Sequence, residues 1–285
     1  MHEAGHAAHF ANVLQPSPLF SQERAPTSVA YAENQSMFLD ALVDDAAWRS
    51  RYAVSEKGEV LPWAVHEEEV RAKHPFKVFE LRSMIAVPYF EKALYELADE
   101  EVTAERIARL ADEVEASICG GAQARPLLSV PHIISDEASC YYHGYVLAEM
   151  SVRQTRHHFL KDGGVIVDNP AVGKELAEKY WEAGNSAAFL DLVENMTGKP
   201  LTGDAWVADL EEPLEAHLAA ERKDYDAGLK AAPSAATTAS LNMRVTLIDG
   251  DAVIADSETD GGFGAACEKY AAFVSSRVAA AKAKA

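Results

Sequence analysis

The chain has 285 residues, enough to bury a substantial core in one large domain or in a domain with an appendage. Its 26 Lys and Arg residues are outnumbered by 45 Asp and Glu residues, which gives a net charge of −19. Because no basic stripe is available to neutralise phosphates, we expect no nucleic-acid partner.

The cysteines and the hydropathy of the chain favour a cytoplasmic location. Cys119, Cys140 and Cys267 are far apart, odd in number and without a C-x-x-C pair, which is typical of a reducing compartment. No apolar run approaches the roughly 20 residues that a membrane-spanning helix needs, so we expect no membrane partner. Any targeting segment upstream of Met1 would be missing from this sequence.

Apolar periodicity with Pro and Gly at the segment ends predicts a mainly α-helical chain. In chain order the predicted helices are residues 2–14, 29–53, 64–98 (interrupted near Pro75 and Pro88), 104–118, 137–159, 171–183, 186–196 and 203–225. Residues 15–28 are predicted to be a loop, and 127–134 a loop or a brief extended stretch.

The C-terminal part of the chain has a different composition. Residues 228–240 are mostly Ala, Pro, Ser and Thr, as expected of a flexible linker. Beyond them, 242–248 and 252–255 alternate around Asp249-Gly250, which predicts a β-hairpin, and 263–284 predict an Ala-rich helix. The predicted division is therefore a domain over 1–227, a linker over 228–240 and a small ββα unit over 241–285.

The chain opens with His2-Glu3-Ala4-Gly5-His6, an H-E-x-x-H pattern. Residues four apart lie on one face of a helix, so both histidines can bind one metal ion while the glutamate reaches a water bound to it. Zinc lowers the pKa of such a water to roughly 7, so that Glu3 can act as general base. Alone, the pattern is equally compatible with two histidines in ordinary hydrogen bonds.

A third ligand is available on the next predicted helix. Catalytic zinc usually takes three protein ligands, and Glu33 lies one loop beyond the histidine helix. Asp40 follows two helical turns later on the same face, where it can orient a ligand histidine. The alternative interpretation is that both carboxylates belong to a solvated helix face.

These residues carry a resemblance to a known family. His2-Glu3-Ala4-Gly5-His6 followed by Ala32-Glu33-Asn34-Gln35-Ser36-Met37 resembles the M3 family of zinc peptidases, which includes thimet oligopeptidases and oligoendopeptidase F. The resemblance implies that His2, His6 and Glu33 bind one zinc ion and that Glu3 is catalytic. His9 also recurs in the family, and we expect it to pack inside the helix bundle.

A second segment resembles the same family. His132 precedes Tyr141-Tyr142-His143-Gly144-Tyr145, with Glu149 four residues further on. The resemblance implies that His132 and Tyr145 stabilise the oxyanion and that Tyr142 contacts the substrate. Core packing is the alternative interpretation of such a tyrosine cluster. The glycine-rich loop of the family is replaced here by residues 133–137, and no role is predicted for Tyr141.

The resemblance covers roughly residues 2–225 and implies a helical zincin-type catalytic domain that hydrolyses short peptides. Only Met1 precedes His2, although a helix carrying this motif is expected to begin earlier. We therefore expect the C-terminal half of such a domain, with the missing N-terminal half as a partner. The alternatives are an inactive or partner-dependent zinc-binding fragment and a helical binding module with structural histidines.

Overall fold

The computed structural model describes residues 1–15, 27–55, 57–123, 125–135, 138–231 and 243–283. The chain divides into two compact units, Met1–Ala231 and Ala232–Ala285. The first is helical throughout its regular elements, and the second holds a two-stranded sheet and a helix. The prediction of a mainly α-helical fold with a small C-terminal appendage is confirmed.

The α-helices of the first unit range from 7 to 19 residues, and 3-10 or π turns extend several of them. They are α1 His2–Ala11, α2 Val29–Asp40, α3 Ala46–Tyr52, α4 Trp63–Lys73, α5 Lys77–Tyr95, α6 Ala104–Val114, α7 His143–Leu160, α8 Pro170–Leu176, α9 Phe189–Thr197, α10 Asp204–Glu211 and α11 Leu214–Lys230. A π turn follows α6 at Glu115–Cys119 and another follows α8 at Ala177–Trp181. The predicted loop over 15–28 lies largely outside the described residues, since 16–26 are not among them.

Two long predicted helices are each divided in two. The segment 29–53 is broken after α2, because the carboxylate of Asp45 accepts the backbone N–H groups of Ala47 and Trp48 and starts a new helix. The segment 203–225 is broken at Pro213, which stands immediately before α11. Helix α11 then continues to Lys230, so the first residues of the predicted linker are helical, and 232–240 lie outside the described residues.

The predicted break at Pro88 does not occur. Helix α5 runs through Pro88 and buries Ala86, Val87 and Phe90 around it. Tertiary packing of this face offsets the loss of one backbone hydrogen bond. Pro75 does end a helix, in a 3-10 turn at His74–Phe76.

The region before α7 also differs from the prediction. The helix predicted over 137–159 begins only at His143, because Cys140 has a φ of 54° that cannot continue an α-helix. Residues 136–137 lie outside the described part of the chain. The predicted loop or extended stretch over 127–134 forms two 3-10 turns, Leu127–Ser129 and Pro131–Ile134.

Helix α2 is the central element of the first unit. Nine of its twelve residues are buried, including the polar residues 33–36. The indole N–H of Trp181 donates to the side-chain Oε1 of Gln35 at 2.8 Å, the side-chain amide of Gln35 donates to Asn34 Oδ1 at 2.7 Å, and the side-chain amide of Asn34 donates to the Ser151 hydroxyl on α7. These bonds satisfy buried polar groups that would otherwise destabilise the core, and they fix the rotation of α2 about its axis.

Two apolar clusters form the core of the first unit. One joins α2, α7, α8 and α9 and contains Phe38, Val152, Tyr180, Val193 and Met196. The other joins α5 and α6 to the 3-10 turns and contains Phe90, Leu110, Val114, Leu127 and Ile133. The segment that enters α7 thus connects the two clusters.

The second unit pairs strands β1 (Thr246–Asp249) and β2 (Ala252–Asp256) in an antiparallel hairpin, followed by α12 (Phe263–Lys282). Buried Asp256 accepts hydrogen bonds from the Arg244 and Thr246 side chains, and the Arg244 guanidinium holds the pKa of the Asp256 carboxyl well below the usual range.

No helix in the described ranges is long and apolar enough to cross a membrane.

Candidate metal centre

The first helix approaches the second unusually closely, and Gly5 makes the approach possible. A Cβ atom at this position would lie 2.5 Å from Ser36 Cα and 2.9 Å from the Gln35 carbonyl oxygen, closer than real Cβ contacts. Only glycine therefore fits at the crossing of α1 and α2. His2 and His6 lie on either side of Gly5 along α1, so both rings reach the surface of α2 at Glu33.

Three side chains from these two helices meet at one point. The Oε2 atom of Glu33 lies 3.4 Å from His2 Nε2 and 3.8 Å from His6 Nε2. Potential ligand atoms of the three residues all lie within 4.8 Å of one another. These separations exceed a usual N–H···O hydrogen bond of about 2.9 Å. The 3.4 Å distance from Glu33 to His2 equals, and the 3.8 Å distance to His6 lies near, the spacing of about 3.4 Å between ligand atoms around a tetrahedral zinc ion with bonds of about 2.1 Å.

Neighbouring side chains orient two of these three residues. Asp40 Oδ2 lies 2.8 Å from His2 Nδ1, so an Nδ1–H donated to this carboxylate leaves the Nε2 lone pair directed at the cluster. The hydroxyl of Tyr141 donates to Glu33 Oε1 at 2.6 Å, and Glu33 itself is only 4% exposed. Tyr141 had no predicted role, although its place in the tyrosine cluster was a signal that could have indicated one.

The second predicted group forms beside the first. His132, in a 3-10 turn, places its Nε2 3.3 Å from the hydroxyl of Tyr145 in the first turn of α7. The Tyr145 ring is 5.4 Å from the Tyr141 ring, and the Tyr141 hydroxyl reaches Glu33. The two groups are therefore contiguous through Tyr141. The Tyr142 ring packs edge-on against both His132 and Tyr145. The same ring also contacts the core cluster of α5 and α6.

The sequence was also compared with known protein families. The sequence model of Peptidase family M3 matches residues 1–212. The chain belongs to peptidase family M3. Membership of this family supports a metallopeptidase-type function, and the matched range contains His2, His6, Glu33, His132 and Tyr145.

A solved structure described as "BsuCP Crystal Structure" is 19% identical to this M3 chain, with a TM-score of 0.49. The similarity covers 79% of the present chain and 47% of the BsuCP chain. The present chain thus spans less than half the length of that neighbour. No match was found among curated proteins.

Two further residues of α1 differ in their surroundings. Glu3, the predicted general base of the M3 chain, is exposed in the first turn. His9 is fully buried, and its ring meets that of Tyr31 edge-on with centroids 4.6 Å apart. Burial, with a smaller contribution from His6, lowers the pKa of His9 to about 4. His9 is therefore neutral at pH 7 and packs α1 against the core.

A second polar region of the M3 chain joins α3, α4 and α11, and we call it the Arg49 network. The Arg49 guanidinium donates to Asp44 and Glu69 at 2.6 Å each and lies 3.2 Å from His66 Nδ1. His66 Nε2 lies 2.9 Å from Glu221 on α11. These residues line a cavity of about 320 Å³. Their charged and ring-nitrogen atoms are bonded to one another, as expected of a structural polar network.

Proposed function

We propose that this chain is a zinc-dependent endopeptidase that hydrolyses short peptides, with one zinc ion per chain. The observation that carries the proposal is the convergence of His2 Nε2 and His6 Nε2 on Glu33 Oε2, from two helices, at 3.4 and 3.8 Å, near the spacing of tetrahedral ligands. Two imidazoles and one carboxylate are a donor set that catalytic zinc uses. The bond between His2 and Asp40 supports the same assignment, because ligand histidines usually donate their other ring nitrogen to a carboxylate.

When bound, zinc would supply Lewis-acid polarisation of the scissile carbonyl and lower the pKa of a water molecule at the site. The chain's own groups would carry out the remaining steps. Glu3, next to the ligand face of α1, would take a proton from the attacking water and pass it to the leaving amine. His132 and Tyr145 would donate hydrogen bonds to the developing oxyanion, and Tyr142 would contact the peptide.

The proposal extends to partners and location. Short peptides are the substrates, and the N-terminal half of the same enzyme is a partner; we expect neither nucleic acid nor membrane to bind. The net charge of −19 supports the absence of a nucleic-acid partner. The three cysteines are all unpaired, which supports a reducing, cytoplasmic compartment.

Replacing Glu3 by Gln tests the proposal. The variant keeps the size of the side chain but cannot accept a proton, so we expect zinc to be retained and peptide hydrolysis to fall by about 10²–10⁴-fold. Hydrolysis is measured with a length series of peptides, with and without zinc. Glu105→Gln is the matched control, because Glu105 is also an exposed glutamate in the first turn of a helix. Wild-type activity in Glu3→Gln would refute the role of Glu3.

The same assay decides between the proposal and its main alternative. Zinc binding by the wild-type chain without hydrolysis of any peptide would favour an inactive or partner-dependent zinc-binding fragment. In that case, hydrolysis should appear when the chain is extended upstream or mixed with the upstream part. Failure to bind zinc at all would favour a binding module with structural histidines.

A further inference from the structure

The two oxygens of the Glu33 carboxylate have different surroundings. Oε1 accepts the hydroxyl of Tyr141 at 2.6 Å, whereas Oε2 faces the two histidines. The Ser36 hydroxyl lies 3.4 Å from Oε2, but its shorter bond, at 3.0 Å, is to the backbone carbonyl of Glu33. Because the side chain is buried, the short bond from Tyr141 fixes which oxygen is directed at the cluster.

We propose that Tyr141 is a positioning residue that holds Glu33 so that only Oε2 can bind the metal. This inference rests on the proposed zinc site and adds a residue to it. A carboxylate can bind zinc through one oxygen or both, and the hydrogen bond to Oε1 favours binding through one. A zinc ion held by His2, His6 and one oxygen of Glu33 would keep a fourth position for water or substrate, and Tyr141 would thereby protect that position.

The backbone before α7 explains how Tyr141 reaches a residue 108 positions away. Cys140 has a φ of 54°, a left-handed conformation that non-glycine residues seldom adopt, and its N–H donates to Glu91 Oε1 at 3.0 Å. The carbonyl of Tyr141 then accepts the N–H of Gly144 at 2.8 Å as the helix begins. Tyr141 is thus held on both sides, by α5 and by α7.

Glu91 is the anchor of this turn. It is only 3% exposed, it lies on α5, and its carboxylate accepts a backbone N–H immediately before Tyr141. A hydrogen bond from the Cys140 N–H to this buried side chain helps to hold the sparsely populated backbone conformation in place. The structure therefore assigns to Glu91 the placement of Tyr141, and through it the orientation of Glu33.

Tyr141→Phe tests the role of the hydroxyl. The substitution removes one oxygen atom and keeps the ring contact with Tyr145. We expect zinc affinity to fall by about 10–100-fold, as is typical when the hydrogen-bond partner of a metal ligand is lost. Affinity is measured by competition with a coloured chelator, and the thermal midpoint of the zinc-free protein should stay within a few degrees of wild type.

Cobalt provides a second readout that a purely structural role would not change. If Tyr141→Phe frees Oε1 to bind, the visible absorption of the Co²⁺-substituted protein should weaken as the coordination number rises from four. Tyr89→Phe is the matched control, because Tyr89 is 61% exposed and should leave both readouts unchanged. Wild-type zinc affinity and an unchanged cobalt spectrum in Tyr141→Phe would overturn the inference while leaving the zinc site standing. A wild-type chain that binds no zinc would overturn both.

Glu91 is tested with two substitutions. Glu91→Ala removes the acceptor for the Cys140 N–H and should lower zinc affinity by less than Tyr141→Phe does, because Tyr141 keeps its hydroxyl. Glu91→Gln keeps a side-chain carbonyl in the same place and should restore most of the affinity. Equal affinities for wild type and Glu91→Ala, in a folded protein, would remove Glu91 from the chain of positioning residues.

Discussion

The candidate metal centre and the Arg49 network both contain buried or half-buried histidines, but the surroundings of these histidines differ. In the network, His66 has Arg49 beside one ring nitrogen and Glu221 beside the other, both within hydrogen-bond distance. In the metal centre, the Nε2 atoms of His2 and His6 converge on one carboxylate oxygen at 3.4 and 3.8 Å. Burial and charge are common to both regions, so the convergence of two ring nitrogens on one carboxylate oxygen is what distinguishes the candidate metal centre.

The charges of the two regions are balanced in different ways. The Arg49 guanidinium and then the Lys73 ammonium lower the pKa of Glu69 to about 2 by hydrogen bonding to its carboxylate. The network therefore holds its own counter-charges and links α3, α4 and α11 without an added ion. The metal centre instead groups two imidazoles with a carboxylate whose nearest hydrogen-bond donor is the neutral hydroxyl of Tyr141. The proposed zinc ion would add the positive charge that this arrangement lacks.

Glu33→Gln should produce the largest effect, a loss of zinc affinity, and should leave the Arg49 network unchanged. An amide oxygen is a poorer zinc ligand than a carboxylate. We therefore expect a loss of zinc affinity greater than the roughly 10–100-fold that is typical when a hydrogen-bond partner of a metal ligand is lost. The measurement is bound zinc per chain after dialysis against a weak chelator. Zinc retained at the wild-type level would remove Glu33 from the ligand set.

A pH titration of stability should separate His9 from the other histidines. Its pKa is 6.5 in the unfolded chain and about 4 in the fold, so the fold disfavours its protonation. The contribution of neutral His9 to stability is complete above pH 6.5 and is lost as the pH falls from 6.5 through 4. At about 1.4 kcal/mol per pKa unit, the free energy of unfolding should fall by roughly 3 kcal/mol over this range. Urea unfolding of the zinc-free protein between pH 7.5 and 4 measures this slope.

His9→Phe is the control for that titration. It keeps a ring against Tyr31 and removes the titrating group, so the variant should lose less stability on acidification than wild type does. Parallel pH profiles for the two proteins would show that His9 does not carry the dependence.

His66→Ala should have a smaller effect than Glu33→Gln, and it should lower stability rather than zinc affinity. The substitution leaves Arg49 and Glu221 each without one partner, which should lower the free energy of unfolding by about 1–3 kcal/mol. Zinc affinity should stay at the wild-type value, because the residue belongs to the network. Urea unfolding and zinc competition on the same sample provide the two readouts, and a parallel loss of zinc would contradict the separation of the two regions.

Local helix geometry explains why much of the metal centre could be predicted. His2 and His6 are four residues apart, and Glu33 and Asp40 are seven apart, so each pair lies on one helix face whatever the rest of the fold does. The structure brings all four together. Their functional roles stay predictions, as do those of Glu3, His132, Tyr142 and Tyr145.

Tertiary contacts explain what could not be predicted. The position of Tyr141 depends on the left-handed backbone of Cys140, which Glu91 holds from a helix about 50 residues away. The persistence of α5 through Pro88 depends on the packing of its buried face. The breaks at Asp45 and Pro213, by contrast, are local capping and proline effects and could have been read from those two residues.

Zinc titration of the metal-free chain, run side by side for wild type, Glu33→Gln and His66→Ala, is the most direct test of the central claim. We expect one zinc per chain for wild type and for His66→Ala, with equal affinities, and a greatly weakened site for Glu33→Gln. A wild-type chain that binds no zinc, or a Glu33→Gln variant that binds zinc as tightly as wild type, would contradict the proposed zinc site.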